Sequence, residues 1–168
     1  MGTTSVHPST PAMRHLERLG IPFRVFRHAR PPKTLEEAAR ERGHRVEQIV
    51  RSLLFRGEGN TYILLLLPGA YRAHWPTLRK ALGMRRMTLA TPEEVLQVTG
   101  APVGAVAPWG WPHPPDYVLA DERIGAFSEV SVGSGVPGVA LLLRREDFMR
   151  SLPPEVKWGI FGIPISQD

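Results

Sequence analysis

Six consecutive apolar residues, Tyr62-Ile63-Leu64-Leu65-Leu66-Leu67, show no alternation between apolar and polar positions. A strand with one face in water alternates with a period of two, so a strand without alternation has to be covered on both faces. A second apolar run, Ile49 to Arg56, precedes it. Gly57-Glu58-Gly59-Asn60 lies between them, which is the chemistry of a tight hairpin turn. The two runs predict an antiparallel hairpin whose second strand lies inside a layered structure. A chain of 168 residues is long enough for one such core and short for two. The Tyr62–Leu67 run is also far short of the roughly 20 apolar residues a membrane helix needs, so no membrane partner is expected.

Helix signals flank the hairpin. Ala12 to Leu19 places Met13, Leu16 and Leu19 on one side and meets Gly20. Ile21 to His28 reads as a strand ended by Arg30-Pro31-Pro32. Thr34 and Glu37 have the spacing of a capping box, opening a helix to about Arg42 before Gly43. His44 to Gln48 is a linking turn. Pro76 suits the first turn of a helix through Leu82, closed by Gly83. Met87 to Ala90 is a short strand. Thr91-Pro92-Glu93-Glu94 starts a helix ending near Thr99. Short strands follow at Tyr117–Ala120, Glu129–Val132 and Val139–Leu143, then a helix at Arg145–Leu152. Residues 1–11 read as a flexible N-terminal arm, 12–152 as the domain, and 153–168 as a strand-like tail docked on it.

Between these elements, Gly100 to Pro115 holds three glycines, five prolines and two tryptophans in sixteen residues. It cannot be regular structure, is long for a plain connection, and has no obvious packing purpose. Irregular loops of this kind carry function on rigid scaffolds, which makes it the first candidate for a site.

Composition removes several chemistries. There is no cysteine, so disulfides, thiolate nucleophiles, iron–sulfur clusters and cysteine-based zinc sites are excluded. A chain without thiols fits a cytoplasmic location, and Met1 to Pro11 lack the basic-then-apolar pattern of a secretory signal. The six histidines are scattered, with neither His-x-His nor His-Glu-x-x-His spacing, so no metal site is expected. No Gly-x-Ser-x-Gly elbow, P-loop or dinucleotide fingerprint occurs. The net charge of +5 favours a polyanionic partner, nucleic acid first. Arg79, Lys80, Arg85 and Arg86 bracket a helix end, where they serve either as a solvated basic face or as phosphate contacts.

Arg51 is unusual because it sits inside an apolar strand. If Val50 and Ser52 share one face, Ile49, Arg51, Leu53 and Phe55 share the other. A cation in that setting costs several kcal/mol unless it finds partners or water. It either snorkels outward at the strand end or stands at a cleft mouth facing an anionic ligand.

Several linked stretches resemble one family. Glu47-Gln48-Ile49-Val50-Arg51-Ser52-Leu53-Leu54-Phe55, Leu78-Arg79-Lys80-Ala81-Leu82-Gly83, Ala90-Thr91-Pro92-Glu93-Glu94-Val95 and Thr99 to Gly110 closely resemble the YbaK/prolyl-tRNA-synthetase-associated editing domains. Glu36-Glu37-Ala38-Ala39 and the Gly133–Gly138 turn fit as well, and the match spans about Phe23 to Leu152.

The resemblance implies a single compact α/β (α+β) domain, with a curved mixed β-sheet or partial barrel surrounded by helices. It implies a free-standing aminoacyl-tRNA deacylase that clears tRNA(Pro) carrying Cys or Ala by ester hydrolysis, with no cofactor, metal or protein nucleophile. The implied partners are the tRNA acceptor end and prolyl-tRNA synthetase. A lysine on the strand before the hairpin is an important site residue in the family, and Arg51 stands there. Gly104 joins it in the catalytic set. Ser52, Gly100, Pro108, Gly133, Ser134 and Gly135 are carried over as substrate-binding positions. One subgroup has serine where Gly133 stands. His28 and Asp121 fall near the pocket by family position, and each also reads as an ordinary polar residue. Lysine is a compact point charge and arginine a planar fork, so they do not occupy identical geometry. Either Arg51 still holds the terminal nucleotide, or the chain is a lapsed homologue that binds a tRNA end or nucleotide without hydrolysis.

Overall fold

The structure, a computed structural model, describes residues 9–165; Met1–Pro8 of the expected arm and the last three residues of the tail lie outside it. Helix α1 (Pro11–Arg18) starts within the expected arm, because Thr10 is nearly buried and its hydroxyl accepts from the Met13 amide at 3.2 Å.

The predicted hairpin forms from β2 (Val50–Gly57) and β3 (Tyr62–Pro68), antiparallel from Val50 opposite Pro68 to Arg56 opposite Tyr62. Strand β6 (Tyr117–Asp121) pairs with β3 in parallel, and β9 (Lys157–Gly159) pairs with β6 in parallel. Short β5 (Met87–Leu89) pairs antiparallel with the end of β2. The sheet order is β5-β2-β3-β6-β9.

Both faces of β3 are indeed covered. Leu64 and Leu66 join Leu16, Val130, Leu141 and Phe148 in one core, while Ile63, Leu65 and Leu67 join Phe55, Leu78 and Phe161 in the other. Burying one such side chain stabilises by about 1.5–3 kcal/mol, so this strand anchors the domain twice over. A second sheet, β1-β8-β7 (Arg24–Arg27, Val139–Arg144 and Glu129–Gly133), supplies Val130, Val132, Leu141 and Leu143 to the first core, as α1 and α5 (Arg145–Ser151) supply Leu16 and Phe148. Helix α3 (Trp75–Leu82) covers the opposite face through Leu78.

The result is a mixed α/β domain with sheets of mixed direction, and its described strands do not close into a barrel. Among the described residues no helix is long and apolar enough to cross a membrane.

Two local features depart from the sequence pattern. Strand β1 covers only four residues of the expected Ile21–His28, since Pro22 has no amide to donate and β8 lies opposite Arg24–Arg27 only. At α2 (Leu35–Arg42), the Thr34 hydroxyl accepts from the Glu37 amide at 3.0 Å, but the Glu37 carboxylate accepts from the Lys33 amide instead of closing the box on Thr34. The reciprocal box does close at α4 (Pro92–Thr99), between Thr91 and Glu94.

The tail is woven in rather than laid on. Besides β9, its β10 (Gly162–Pro164) pairs with β4 (Tyr71–Ala73). The fully buried Asp121 carboxylate holds this end, accepting from Arg123 Nε at 2.8 Å, Arg123 Nη2 at 2.7 Å and the Phe161 amide at 2.8 Å. Burial alone would raise the Asp121 pKa, but these donors carry it below the usual carboxylate value.

Candidate functional site

The site begins with an unpaired stretch of strand edge. The Ile49 carbonyl accepts from Gly69 on the β3 side, and the Leu54 carbonyl accepts from Ala90 on the β5 side, at 2.8 and 3.0 Å. Backbone groups alternate sides along a strand, so Ser52 turns its N–H and C=O toward the β5 edge. Strand β5 stops opposite Phe55, and the backbone bridge between β7 and this stretch lies just before β2, at Ile49–Ser131. Among the described residues no strand pairs with that edge at Ser52.

A cavity of about 530 Å³ lies there, walled by Val50–Leu54 of β2, one stripe of α2 (Leu35, Ala38, Arg42), loop residues Val103–Val106 and the turn from Gly133 to Val139. Its size is that of a small-ligand pocket. Among the described residues Lys33, Arg42 and Arg51 line it, and no aspartate, glutamate or histidine does.

Arg51 is on the wall, and its Nη2 donates to the Tyr71 carbonyl while Nε is buried without a partner. Pleating places it on the Leu53 and Phe55 face, over the second core, and burial pushes its pKa below the ordinary value. Ser52, on the other face, lines the cavity with a buried hydroxyl that has no partner.

Gly104 lines the cavity at φ +90°, where a Cβ would meet no protein atom. Gly133 is a glycine for a different reason: a Cβ there would stand 2.4 Å from the Val106 carbonyl oxygen and 2.9 Å from that of Ala105. A side chain at this position therefore has no room without a shift of the loop. The turn is tied to the loop, with the Gly135 amide donating to the Ala105 carbonyl at 2.7 Å.

Other expected positions fall elsewhere. Gly100, Ser134 and Gly135 line a second cavity of about 500 Å³ across the loop, together with Trp109 and Trp111. The Ser134 hydroxyl is used inside its own turn, donating to the Val139 carbonyl at 2.7 Å. Pro108 is buried and lines neither cavity. Arg79, Lys80, Arg85 and Arg86, at and beyond the end of α3, line neither cavity.

The expectation that the Gly100–Trp111 loop lacks a packing purpose is corrected. Ala101, Ala105, Val106, Ala107 and Trp109 are buried, and Trp109 Nε1 donates to Ser151 Oγ at 2.8 Å. The loop is at once core and cavity wall.

The sequence reading missed Arg42. The last residue of α2, it donates from Nε to His28 Nε2 at 3.0 Å and from Nη1 to Ser131 Oγ at 2.9 Å. An arginine Nε–H can only donate, so His28 Nε2 accepts and the ring proton sits on Nδ1, which donates to Glu41 at 2.6 Å. Burial lowers the Arg42 pKa to about 10, and the neighbouring Glu41 carboxylate opposes that fall, so the group stays cationic at neutral pH. His28 thus reaches the cavity through Arg42, while Asp121 does not line it and serves the tail. Periodicity could have put Arg42 on the Leu35–Ala38 stripe, but its partners are distant in sequence and leave no local signal.

The fold is that of a mixed α/β domain with one largely apolar cavity whose charged lining residues are all cations. The aminoacyl-tRNA editing domain model matches residues 29–151. The chain is 29% identical over 145 residues to the multifunctional Ser/Thr-tRNA deacylase ProXp-y of Escherichia coli (strain K12), covering 84% of this chain and 86% of that one. It is 31% identical over 106 residues to the proline–tRNA ligase of Thermosipho melanesiensis, covering 63% of this chain but only 18% of the ligase. A solved structure of a candidate trans-editing enzyme for prolyl tRNA synthetase superposes with a TM-score of 0.82 at 28% identity, over 95% of this chain and 99% of that one. The chain belongs to the aminoacyl-tRNA editing domain family, a family of aminoacyl-tRNA deacylases.

Proposed function

We propose that the protein is a free-standing trans-editing hydrolase that takes the acceptor end of mischarged tRNA into the 530 Å³ cavity. The observation that carries this reading is the cavity itself: an open strand edge and a glycine-bearing loop facing one another, with three cations and no acid on the walls. An aminoacyl ester is already activated. Water attacks the ester carbonyl, the tetrahedral oxyanion collapses, and the ribose oxygen leaves with a proton, giving free amino acid and uncharged tRNA.

No lining side chain is an evident proton acceptor, so the ribose hydroxyl beside the ester serves as the relay. The oxyanion needs preorganised donors. The Ala105 amide is taken by the Pro102 carbonyl at 3.0 Å, and the amides of Ser52, on the open edge, and of Gly104, on the loop, serve this task. Arg51 strengthens the positive field on the same wall, and Gly133 keeps the turn against the loop. Gly100, Pro108, Ser134 and Gly135 act behind the loop by holding its course. Arg79, Lys80, Arg85 and Arg86 provide phosphate contacts for the body of the tRNA. The protein works in the cytoplasm, on tRNA released by prolyl-tRNA synthetase.

For the aminoacyl group, the family resemblance favours Cys or Ala on tRNA(Pro). A second reading, Ser or Thr, is favoured by the unpaired Ser52 hydroxyl, since a buried unpaired polar atom selects a ligand able to bond with it. The test is deacylation of tRNA(Pro) charged with Ala, Cys, Ser or Thr against buffer. Acceleration with at least one supports the function, and none with any overturns it. Ser52→Ala then separates the readings: a selective loss on Ser and Thr supports the second, and equal rates reject it.

A further inference from the structure

Of the three cations on the cavity wall, Arg42 is the one built to receive a ligand. Its orientation is fixed by a chain of contacts that runs across the fold: Glu41 to His28, His28 to Arg42, and Arg42 to Ser131. Two of these partners, His28 and Ser131, are fully or almost fully buried. Fixing Nε and Nη1 in this way holds the guanidinium plane. The remaining terminal nitrogen, Nη2, has no hydrogen-bond partner among the described residues and is not one of the buried orphan atoms. Arg51 shows the opposite pattern, with its Nη2 committed to the Tyr71 carbonyl and its Nε buried. Lys33 is exposed at the rim and is held by no comparable set of contacts.

A planar guanidinium anchored through two nitrogens with the third free is matched to phosphate, whose oxygens accept charge-assisted hydrogen bonds. No carboxylate on the cavity wall competes for it. We infer that Arg42 binds the phosphate on the 5′ side of the terminal adenosine, with His28 and Ser131 as its positioning residues. This deepens the deacylase reading and rests on it for the identity of the nucleotide. It also moves the main anion contact from the strand position of Arg51 to the end of α2.

Calorimetric titration with 5′-AMP and with adenosine tests this without turnover. The wild-type protein should prefer 5′-AMP by about 10-fold, the scale of one charge-assisted contact. Arg42→Gln should bring the two affinities within about 2-fold while adenosine binding is retained, and Arg51→Gln should keep the preference. No preference in the wild type, or a preference unchanged in Arg42→Gln, overturns the inference. Should Arg42→Gln fail to fold, Arg42→Met keeps the aliphatic stem but removes the charge, and an undiminished preference there is equally fatal.

A CCA trinucleotide, with a diester at the same place, should show the same dependence on Arg42. Dependence with 5′-AMP alone would assign the site to a free mononucleotide and overturn the RNA-end assignment. The two readings also fail separately. A protein that hydrolyses no charged tRNA but loses its 5′-AMP preference in Arg42→Gln keeps the inference and rejects the deacylase. Active enzyme whose kcat/KM is unchanged by Arg42→Gln rejects the inference alone.

Discussion

Two regions of this domain bury charge, and they treat it differently. At the tail, Asp121 has donors from Arg123, Phe161, and Gly162 around its carboxylate, and Arg123 also donates to the Gly162 carbonyl at 2.7 Å. At the cavity, Arg42 is anchored on two nitrogens and left open on the third, Arg51 has a buried orphan Nε, and Ser52 has a buried orphan hydroxyl. Polar groups satisfied within the chain stabilise it, while groups left unsatisfied beside a cavity cost stability unless a ligand completes them. The first arrangement reads as a fastening and the second as a receptor, although both consist of half-buried arginines among apolar strands.

That contrast can be broken most severely at Asp121. Removing one partner of a buried pair costs about 3–5 kcal/mol, so Asp121→Ala should lower the unfolding free energy by that order in a denaturant titration. The remaining folded protein should deacylate normally; a stable variant would mean the tail is not fastened there. The same contact sets an acid limit. The native carboxylate has a lowered pKa, so its stabilisation is complete above the unfolded-state pKa and is lost as pH falls through the folded one.

Arg51→Ala removes positive field from the wall rather than a donor, so kcat should fall by roughly 10-fold, and the melting temperature should fall with it because the Tyr71 carbonyl loses its partner. Restoring lysine probes the same position from the other side: a large gain in deacylation with Arg51→Lys would mark the native chain as a lapsed enzyme that binds without hydrolysing. A smaller effect belongs to Gly133→Ala. The added carbon would meet carbonyl oxygen at 2.4 Å, so the loop must shift, costing about 1–3 kcal/mol and raising KM. Unchanged kinetics would detach the turn from the site. The smallest effect is expected at the far basic face, where Arg85→Ala and Arg86→Ala should each lower the slope of tRNA affinity against salt by about one. A slope unaltered by both would leave them a solvated surface.

How far the sequence foretold this depends on the range of the interactions. The hairpin, the Thr91–Glu94 cap and the helix ends were legible because each is decided within a few residues. The double burial of β3 was legible because missing alternation has one physical reading. The parallel pairing of β3 with β6, and of β6 with β9, carries no local signal, and neither does the burial of Trp109 against Ser151. The site divides along the same line. Ser52, Gly104 and Gly133, which line the cavity, lie on contiguous stretches that carry the family resemblance, whereas Arg42 depends on His28 and Ser131, brought together only by the fold. Arg51 was singled out as a cation in an apolar strand, but its bond to the Tyr71 carbonyl follows from the placement of β4.

The central claim is that the aminoacyl end enters beside the open edge of β2. Backbone amide shifts on adding an amide-linked alanyl-adenosine, which cannot be hydrolysed, test it most directly. The structure predicts shifts confined to Arg42, residues 50–54, 103–106 and 132–139. Shifts centred instead on Trp109 and Trp111, or on residues 79–86, with this set unmoved, would contradict it.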